Sequence, residues 1–239
     1  MGRFKRYRTA WSRHHRSRGF GIHSPYAFKF VREVLGERLP FYCYSHIEEL
    51  RDNVVKLNRG LRPRTAVITT KDAKQLFRIT NHFNPRHILQ VSAGHAVTSA
   101  SMLAVSSASQ LWLQQGQFDP ASVAGKVLAP YGERIHIHED LEETIINYEA
   151  ALGHDEVPFV LVDTAVHESD IPMLTSHLHK VLAGHAVVIL RGIDRSDHIK
   201  QLWLSCKQMM PMGQTYTNEK TAILYATPKL QREDFFLWL

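Results

Sequence analysis

The sequence has little cysteine and no long apolar run. Cys43 and Cys206 are its two cysteines, and neither lies in a CxxC pair, so neither a disulfide framework nor a redox motif is expected. Reduced thiols of this kind predict a cytoplasmic protein. No stretch of about 18 apolar residues is present, so no membrane-spanning helix is expected. The basic beginning of the chain is not followed by an apolar stretch, so a secretory signal is not expected either.

Acidic residues are missing from the beginning of the chain, where Glu33 is the first acid. Three aromatic residues are interleaved with seven cations in residues 1–18. Those cations are Arg3, Lys5, Arg6, Arg8, Arg13, Arg16 and Arg18. The pattern predicts a basic N-terminal arm over residues 1–18 that could touch nucleic acid or an anionic membrane surface. The alternative is a solvated terminus that docks on its own domain.

The chain has enough apolar residues for a folded core, at 44% of 239 residues. In its first third these residues recur at helical spacing. Ser24 followed by Pro25 is typical of the start of a helix, and further helices are predicted over residues 45–57 and 72–82. We therefore predict a helical cap over residues 19–86.

After the helical cap the pattern changes to short apolar runs that alternate with helices. Strands are predicted over residues 87–91, 110–114, 134–138, 158–163 and 185–190. Two further strands, 214–217 and 221–226, flank a short turn and predict a hairpin. Strands alternating with helices indicate a parallel sheet covered on both faces. We predict a Rossmann-like α/β domain over residues 87–239, with a doubly wound, mostly parallel seven-stranded sheet and an antiparallel C-terminal hairpin.

Ligands of doubly wound sheets bind outside the carboxyl ends of the strands, so the residues that follow each strand are the candidates for a site. Asp163 follows the fourth predicted strand, and His167 lies shortly after it. As a general-base pair, Asp163 and His167 would both be catalytic. The alternative is that Asp163 caps the next helix or braces a loop at the strand end.

The chain contains 15 histidines, which raises the question of a metal site. His136 and His138 point to the same face of a predicted strand, whereas His177 and His179 do not share a face of their predicted helix. The sequence contains no HExxH or comparable ligand spacing. We predict no metal site.

Three stretches of the sequence resemble one known family. GFGIHSPYAFKFV (19–31), FYCYSHIEELR (41–51) and QLFRITNHFNPRHIL (75–89) are similar to a bacterial branch of the class I S-adenosylmethionine (SAM)-dependent methyltransferase superfamily. Members of that branch carry a "G-HGIHSPF-F" motif and, later, "LLFRLxNxFxPxxILExGTSxGxST". The resemblance implies the class I methyltransferase fold, SAM as the cofactor, and methyl transfer to an unidentified acceptor.

The sequence departs from the family in the turn that grips the cofactor. The glutamate of the family is Gln90 here, its first glycine is Ser92 and its last glycine is Ala96, while Gly94 is retained. A side chain in place of glycine adds a Cβ where the backbone approaches the ligand closely. This turn is therefore expected to hold SAM less well than the family's turn does.

Further departures follow the later strands. After the second strand the family has an acid that binds the ribose, and this chain has Gln114 and Gln115. Asp163 survives after the fourth strand, but the paired aspartates after the fifth are replaced by Arg191 and Gly192. The cofactor-binding positions implied by the resemblance are Gln90, Ser92, Gly94, Ala96, Gln114, Gln115 and Asp163.

Two functions remain open on the sequence. The first is a SAM-dependent methyltransferase-like protein whose cofactor binding is weak or absent. The second is a non-catalytic scaffold with the methyltransferase fold, which binds an anionic partner through its basic arm. The fold does not decide between them, because function depends on the site.

Overall fold

The computed structural model describes residues 19, 21–59 and 66–237. The predicted basic arm over residues 1–18 lies outside this part of the chain. In the described part, no helix combines the length and the apolar composition that a membrane crossing requires.

Three helical segments form the cap that the sequence predicts. They are α1 (Pro25–Lys29), which continues as a π-helical segment (Phe30–Leu35), α2 (Tyr44–Asn58) and α3 (Thr70–Phe83). Ser24 caps α1 by accepting a hydrogen bond from the Ala27 N–H, as its sequence position suggests. The Arg78 side chain, on α3, donates to the carbonyls of Val34 and Leu35 and so fixes the end of the π-helical segment against α3.

Strands and helices alternate after α3, as the sequence predicts. The strands are β1 (His87–Val91), β2 (Gln110–Gln114), β3 (Ile135–His138), β4 (Phe159–Val162), β5 (Ala186–Arg191), β6 (Gly213–Thr217), β7 (Thr221–Ala226) and β8 (Glu233–Phe236). The helices between them are α4 (Val97–Leu103), α5 (Val123–Leu128), α6 (Leu141–Ala151), α7 (Ile171–Leu182) and α8 (Asp197–Met209), with 3-10 segments at Ala129–Arg134 and Glu168–Asp170.

The strands form one sheet in the order β3-β2-β1-β4-β5-β7-β6-β8. Strands β1 to β5 are parallel to one another, and β7 runs antiparallel to both β5 and β6. The first and fourth strands are neighbours, because β1 pairs with β4. The switch in strand order therefore falls between β1 and β4, where a doubly wound sheet binds its ligands.

Within the described residues the sheet has eight strands, one more than the seven expected from the sequence. The additional strand is β8, which pairs in parallel with β6 at the edge of the sheet. Its four residues include two acids and two phenylalanines, a pattern too short and too polar to predict a strand. Phe235 is buried and stacks on Tyr216 of β6, which supplies the apolar contact that holds this edge.

Alternate residues of the strands enter two separate hydrophobic clusters, one on each face of the sheet. The first cluster joins the cap, α4 and α5 to one face, and the second joins α6, α7 and α8 to the other. Phe30 of the cap lies 4.8 Å from Tyr216 between ring centroids, and Gln214 Nε2 of β6 donates to Ser24 Oγ at 2.8 Å. The cap is thus packed on the sheet, and the division of the chain at residue 86 stays a prediction.

Candidate functional site

A cleft of about 80 Å³ opens at the carboxyl edge of the sheet. Its walls are the start of α3, the turn after β1, the loops after β4 and β5, and the turn between β6 and β7. Gly94, Thr98, Asp163, Arg191, Arg195 and Lys220 are among its lining residues. The position is the one that the order of the strands predicts for a ligand.

The turn after β1 keeps a backbone conformation that normally favours glycine. Ser92, Gly94 and Ala96 all have positive φ angles, of 64°, 53° and 60°. A residue with a Cβ pays roughly 1–2 kcal/mol for this left-handed conformation. Ser92 and Ala96, which stand where the resembled family has glycine, thus adopt the left-handed conformation despite their Cβ atoms.

The Gln90 side chain holds this turn from inside the protein. Gln90 is fully buried, and its Nε2 donates to the Ser92 carbonyl at 3.0 Å and to Thr98 Oγ1 at 2.9 Å. Its Oε1 accepts from Ser99 Oγ at 2.8 Å. The whole amide is thus used to connect β1, the turn and the start of α4, and none of it lines the cleft.

The two glutamines at the end of β2 also have partners in the protein. Gln114 Nε2 donates to the Glu139 carbonyl, and Gln115 Oε1 accepts from the Ala93 N–H at 2.9 Å. The second bond ties the end of β2 to the turn after β1. Neither glutamine lines the cleft, so the structure places them beside the turn without bringing them to the cavity.

Asp163 is brought together with Arg191 in the floor of the cleft. Arg191 Nη1 donates to Asp163 Oδ1 at 2.5 Å, and the Thr164 N–H donates to the same oxygen at 2.8 Å. The side chains are 7% exposed for Asp163 and 14% exposed for Arg191, so the ion pair is largely removed from solvent. Asp163 therefore braces the loop after β4, and it does not cap the helix that follows.

Gly192 allows this ion pair to form. Its φ angle is 82°, and a Cβ at this position would lie 2.8 Å from Thr164 Cγ2. A residue with a side chain would push apart the loops that follow β4 and β5. Because these strands are neighbours in the sheet, the close approach of their loops puts Arg191 beside Asp163.

His167 does not join Asp163. It is exposed, and its Nδ1 lies 2.7 Å from Ser169 Oγ and accepts from the Ser169 N–H at 3.4 Å. His167 thus caps the 3-10 segment Glu168–Asp170, a role that the sequence reading gave as an alternative for Asp163. In the described part of the chain no hydrogen bond links Asp163 and His167, and a general-base pair stays a prediction.

Arg191, Arg195 and Lys220 are cleft residues that the sequence reading did not assign to the site. The signal for Arg191 was present, since it ends the strand next to the one that precedes Asp163. Residues that end neighbouring parallel strands lie at the same edge, so an arginine and an aspartate there are placed to pair. Within the described ranges, no group of three or more histidine, cysteine or acidic residues is arranged to hold a metal ion.

No protein-family model matches the chain, and no curated protein matches its sequence. Solved structures do match it. An O-methyltransferase from Bacillus cereus in complex with SAH aligns with a TM-score of 0.56 at 13% identity, over 81% of this chain and 96% of that chain. The O-methyltransferase TomG from Streptomyces achromogenes, in complex with SAM, aligns with a TM-score of 0.52 at 14% identity, over 79% and 91% of the two chains. An SAH-bound methyltransferase from Podospora anserina gives 0.51 at 10% identity, over 80% and 99%.

These matches and the topology together define the fold. The chain is a Rossmann-like α/β protein with a cleft at the switch in strand order. More narrowly, it has the fold of the class I SAM-dependent methyltransferases. At these levels of identity the likeness establishes the fold, and the chemistry has to be argued from the residues of this chain.

The residues of this chain are compatible with SAM at the turn after β1 but not at the end of β2. The turn after β1 fits in part, because its backbone has positive φ angles and Gly94 lines the cleft, although Ser92 and Ala96 carry a Cβ where the resembled family has glycine. The end of β2 does not fit, because two neutral amides stand where a carboxylate would hold the ribose, and both already have partners. No reaction step through SAM follows from this arrangement.

Proposed function

We propose that this protein is a methyltransferase-like protein that binds SAM weakly, and that its methyl transfer to an unidentified acceptor is weakened in proportion. The observation that carries the proposal is the end of β2, where Gln114 and Gln115 replace an acid and hydrogen-bond to backbone groups of the protein. The preserved turn after β1 supports a remaining affinity for a nucleotide.

The expected loss of affinity can be sized. A carboxylate makes charge-assisted hydrogen bonds with the two ribose hydroxyls, and such bonds are about twice as strong as neutral ones. Each poorly paired group at the ligand costs roughly 1–3 kcal/mol. Two such losses reduce a micromolar affinity to a millimolar one, since about 1.4 kcal/mol corresponds to a factor of ten.

Calorimetric titration of the full chain with SAM and with SAH tests this proposal. We expect dissociation constants above roughly 100 µM. The variant Gln114→Glu places a carboxylate at the end of β2 and should tighten SAH binding about tenfold. Gln110→Glu makes the same change at the other end of this strand and should leave the affinity unchanged. Tight binding by the natural sequence would show that the two glutamines are compatible with SAM.

The basic arm supplies the alternative proposal, a scaffold that binds an anionic partner. Its support is the run of seven cations in residues 1–18, which lie outside the described part of the chain. If the arm binds RNA or DNA, the affinity falls steeply with salt and is lost when residues 1–18 are deleted. A cytoplasmic location belongs to the same set of proposals, and the two buried free thiols are compatible with it.

A further inference from the structure

The Arg191 guanidinium has hydrogen-bonding capacity that the protein does not use. A guanidinium carries five N–H donors in a rigid, planar fork. Nη1 donates to Asp163, while the described part of the chain offers no acceptor to Nε or Nη2. Neither nitrogen is one of the fully buried polar atoms that lack a hydrogen-bond partner in the described residues, although the Arg191 side chain is only 14% exposed. Arg191 is one of the residues that line the cleft.

The unused donors lie on one edge of the guanidinium. Nε and Nη2 form its side edge, which matches the two oxygens of a carboxylate or a phosphate. The bond from Nη1 to Asp163 fixes the plane of the group from the other side. Because Asp163 Oδ1 is itself held by the Thr164 N–H, the fork is oriented before any ligand arrives.

The wall that carries Arg191 also carries two other cations. Arg195 lies in the same loop, and Lys220 lies in the turn between β6 and β7. Backbone bonds from the N–H groups of Gly192 and Ile193 to the Lys220 carbonyl join this turn to the loop. Neither Arg195 nor Lys220 has an ion-pair partner within the described residues. They are exposed, so they strengthen the attraction for an anion only modestly.

Acidic side chains also line the cleft, and they limit what the overall charge can do. Asp163 is neutralised by Arg191, while Asp72 and Asp194 offset the charges of Arg195 and Lys220. The cleft as a whole is therefore close to neutral. Recognition of an anion has to come from the geometry of the buried fork, because the summed field of the cleft does not favour one sign.

We propose that Arg191 is the anchor for a carboxylate or phosphate group of the ligand that enters this cleft. The proposal rests on the proposed function in one respect, that the cleft is a ligand site. The anion has two sources with the same chemistry, the amino-acid carboxylate of the cofactor or an anionic group of the acceptor. In either case the anion receives two parallel N–H bonds from Nε and Nη2.

Inorganic phosphate is the first probe, titrated into the full chain against chloride at constant ionic strength. We expect a roughly millimolar dissociation constant, as suits an anion of five heavy atoms. Arg191→Lys keeps the charge and the ion pair with Asp163 but removes the fork, and should weaken phosphate binding about tenfold. Arg195→Lys is the matched control in the same loop and should change the affinity less than about twofold. Circular dichroism and the melting temperature verify that each variant is folded.

Three results would overturn the anchor: no phosphate binding by the natural sequence, equal affinity in Arg191→Lys, or an equal loss in Arg195→Lys. The last result would mean that the Arg195 guanidinium contributes as much to anion binding as that of Arg191. Arg191→Gln is a second variant, in which the charge is also lost, and phosphate affinity should fall further than in Arg191→Lys. Affinity that is unchanged in a folded Arg191→Gln protein also contradicts the proposal.

SAH and 5′-methylthioadenosine distinguish the two sources, because the second lacks the amino-acid carboxylate. If the anion is that of the cofactor, SAH binds more tightly than 5′-methylthioadenosine, and Arg191→Lys removes the difference. If the anion belongs to the acceptor, the two nucleosides bind alike while Arg191→Lys still weakens phosphate. Phosphate binding without any SAH binding keeps the anchor and refutes the proposed function. If SAH binds but Arg191→Lys leaves the phosphate affinity unchanged, the proposed function is kept and the anchor is refuted.

Discussion

The two halves of the sheet's carboxyl edge use their polar side chains in opposite ways. On the side of β1 and β2, Gln90, Gln114 and Gln115 all hydrogen-bond to groups of the protein. On the side of β4 and β5, Asp163 and Arg191 bond to each other, and Arg191 still has donors facing the cleft. The polar side chains of the first half hold the structure together, while in the second half the proposed anchor keeps donors that the protein does not use.

The difference follows from the kind of group that each half contains. Neutral amides can be buried at little cost when all their hydrogen bonds are made, as they are for Gln90. An ion pair keeps its charges and the N–H donors of its arginine. The cost of removing those charges from water cancels much of the stabilisation that the pair provides. A ligand gains no further hydrogen bond from an amide whose donors and acceptor are all used, but it gains hydrogen bonds from an arginine whose donors are only partly used.

The largest effect is expected on the side of β1. Gln90→Leu keeps the size of the side chain but removes the partners of the Ser92 carbonyl and of the hydroxyls of Thr98 and Ser99. Buried groups left without partners cost about 1–3 kcal/mol each, so for these three groups we expect a loss of at least about 3 kcal/mol in the free energy of unfolding. Urea unfolding followed by circular dichroism measures it.

The same substitution at Gln110 is the control for Gln90→Leu. Gln110 is partly exposed at the start of β2 and has one side-chain contact, at 3.3 Å from His136 Nε2. Gln110→Leu should change the free energy of unfolding by less than about 0.5 kcal/mol, as is usual for substitutions away from buried networks. Equal losses at the two positions would mean that the buried amide of Gln90 has no special structural role.

A smaller effect is expected from the ion pair. A double-mutant cycle with Asp163→Asn and Arg191→Gln should give a coupling energy of about 1–2 kcal/mol, because the pair is largely buried but faces a cleft that solvent enters. The exposed pair Lys207–Asp234, at 2.9 Å, is the matched reference, with an expected coupling below about 0.5 kcal/mol. If the coupling energy between residues 163 and 191 is no larger than that of the reference pair, the described difference between the two halves of the carboxyl edge is contradicted.

The smallest effect concerns the backbone of the turn after β1. Ser92→Gly should raise the free energy of unfolding by about 0.5 kcal/mol, because glycine relieves the strain of a φ angle of 64°. Gly94→Ala should lower it by about 1 kcal/mol, although no atom lies within 4 Å of the added Cβ, since the φ angle of 53° is itself unfavourable for alanine. Thermal unfolding in a calorimeter compares the two variants, and shifts of the same sign would contradict this account.

Sequence patterns were sufficient for most of the fold because strands such as β4 and β5 are almost entirely apolar and alternate with helices. Strands β4 and β5 could be placed from that pattern alone, and their position in a parallel sheet followed from the helices between them. Strand β8 could not, because its pairing with β6 depends on a contact between Phe235 and Tyr216 rather than on a local pattern. An edge strand with two acids resembles a polar loop in the sequence.

The candidate site was less accessible to sequence reasoning, and the reasons differ between residues. The left-handed backbone at Ser92 and Ala96 leaves no mark in the sequence, because serine and alanine are not residues that favour it. The Gln90 contacts depend on the side-chain conformation in the folded core. The pairing of Asp163 with Arg191 could have been predicted, since both residues lie at the ends of neighbouring strands. The comparison with the resembled family drew attention to Arg191 only as the replacement of an aspartate.

The contact between the cap and β6 has a consequence for synthesis of the chain on the ribosome. Ser24 and Gln214, which hydrogen-bond through their side chains, are 190 residues apart in sequence. At translation rates of about 5–20 residues per second, α1 is made roughly 10–40 s before its partner strand exists. During that interval Phe30 and Val31, which are buried in the finished protein, have no β6 to cover them. The docking of α1 on β6 therefore waits until nearly the whole chain has been made. Until then, the part of the cap's apolar face that α3 does not cover is open to a nascent-chain chaperone.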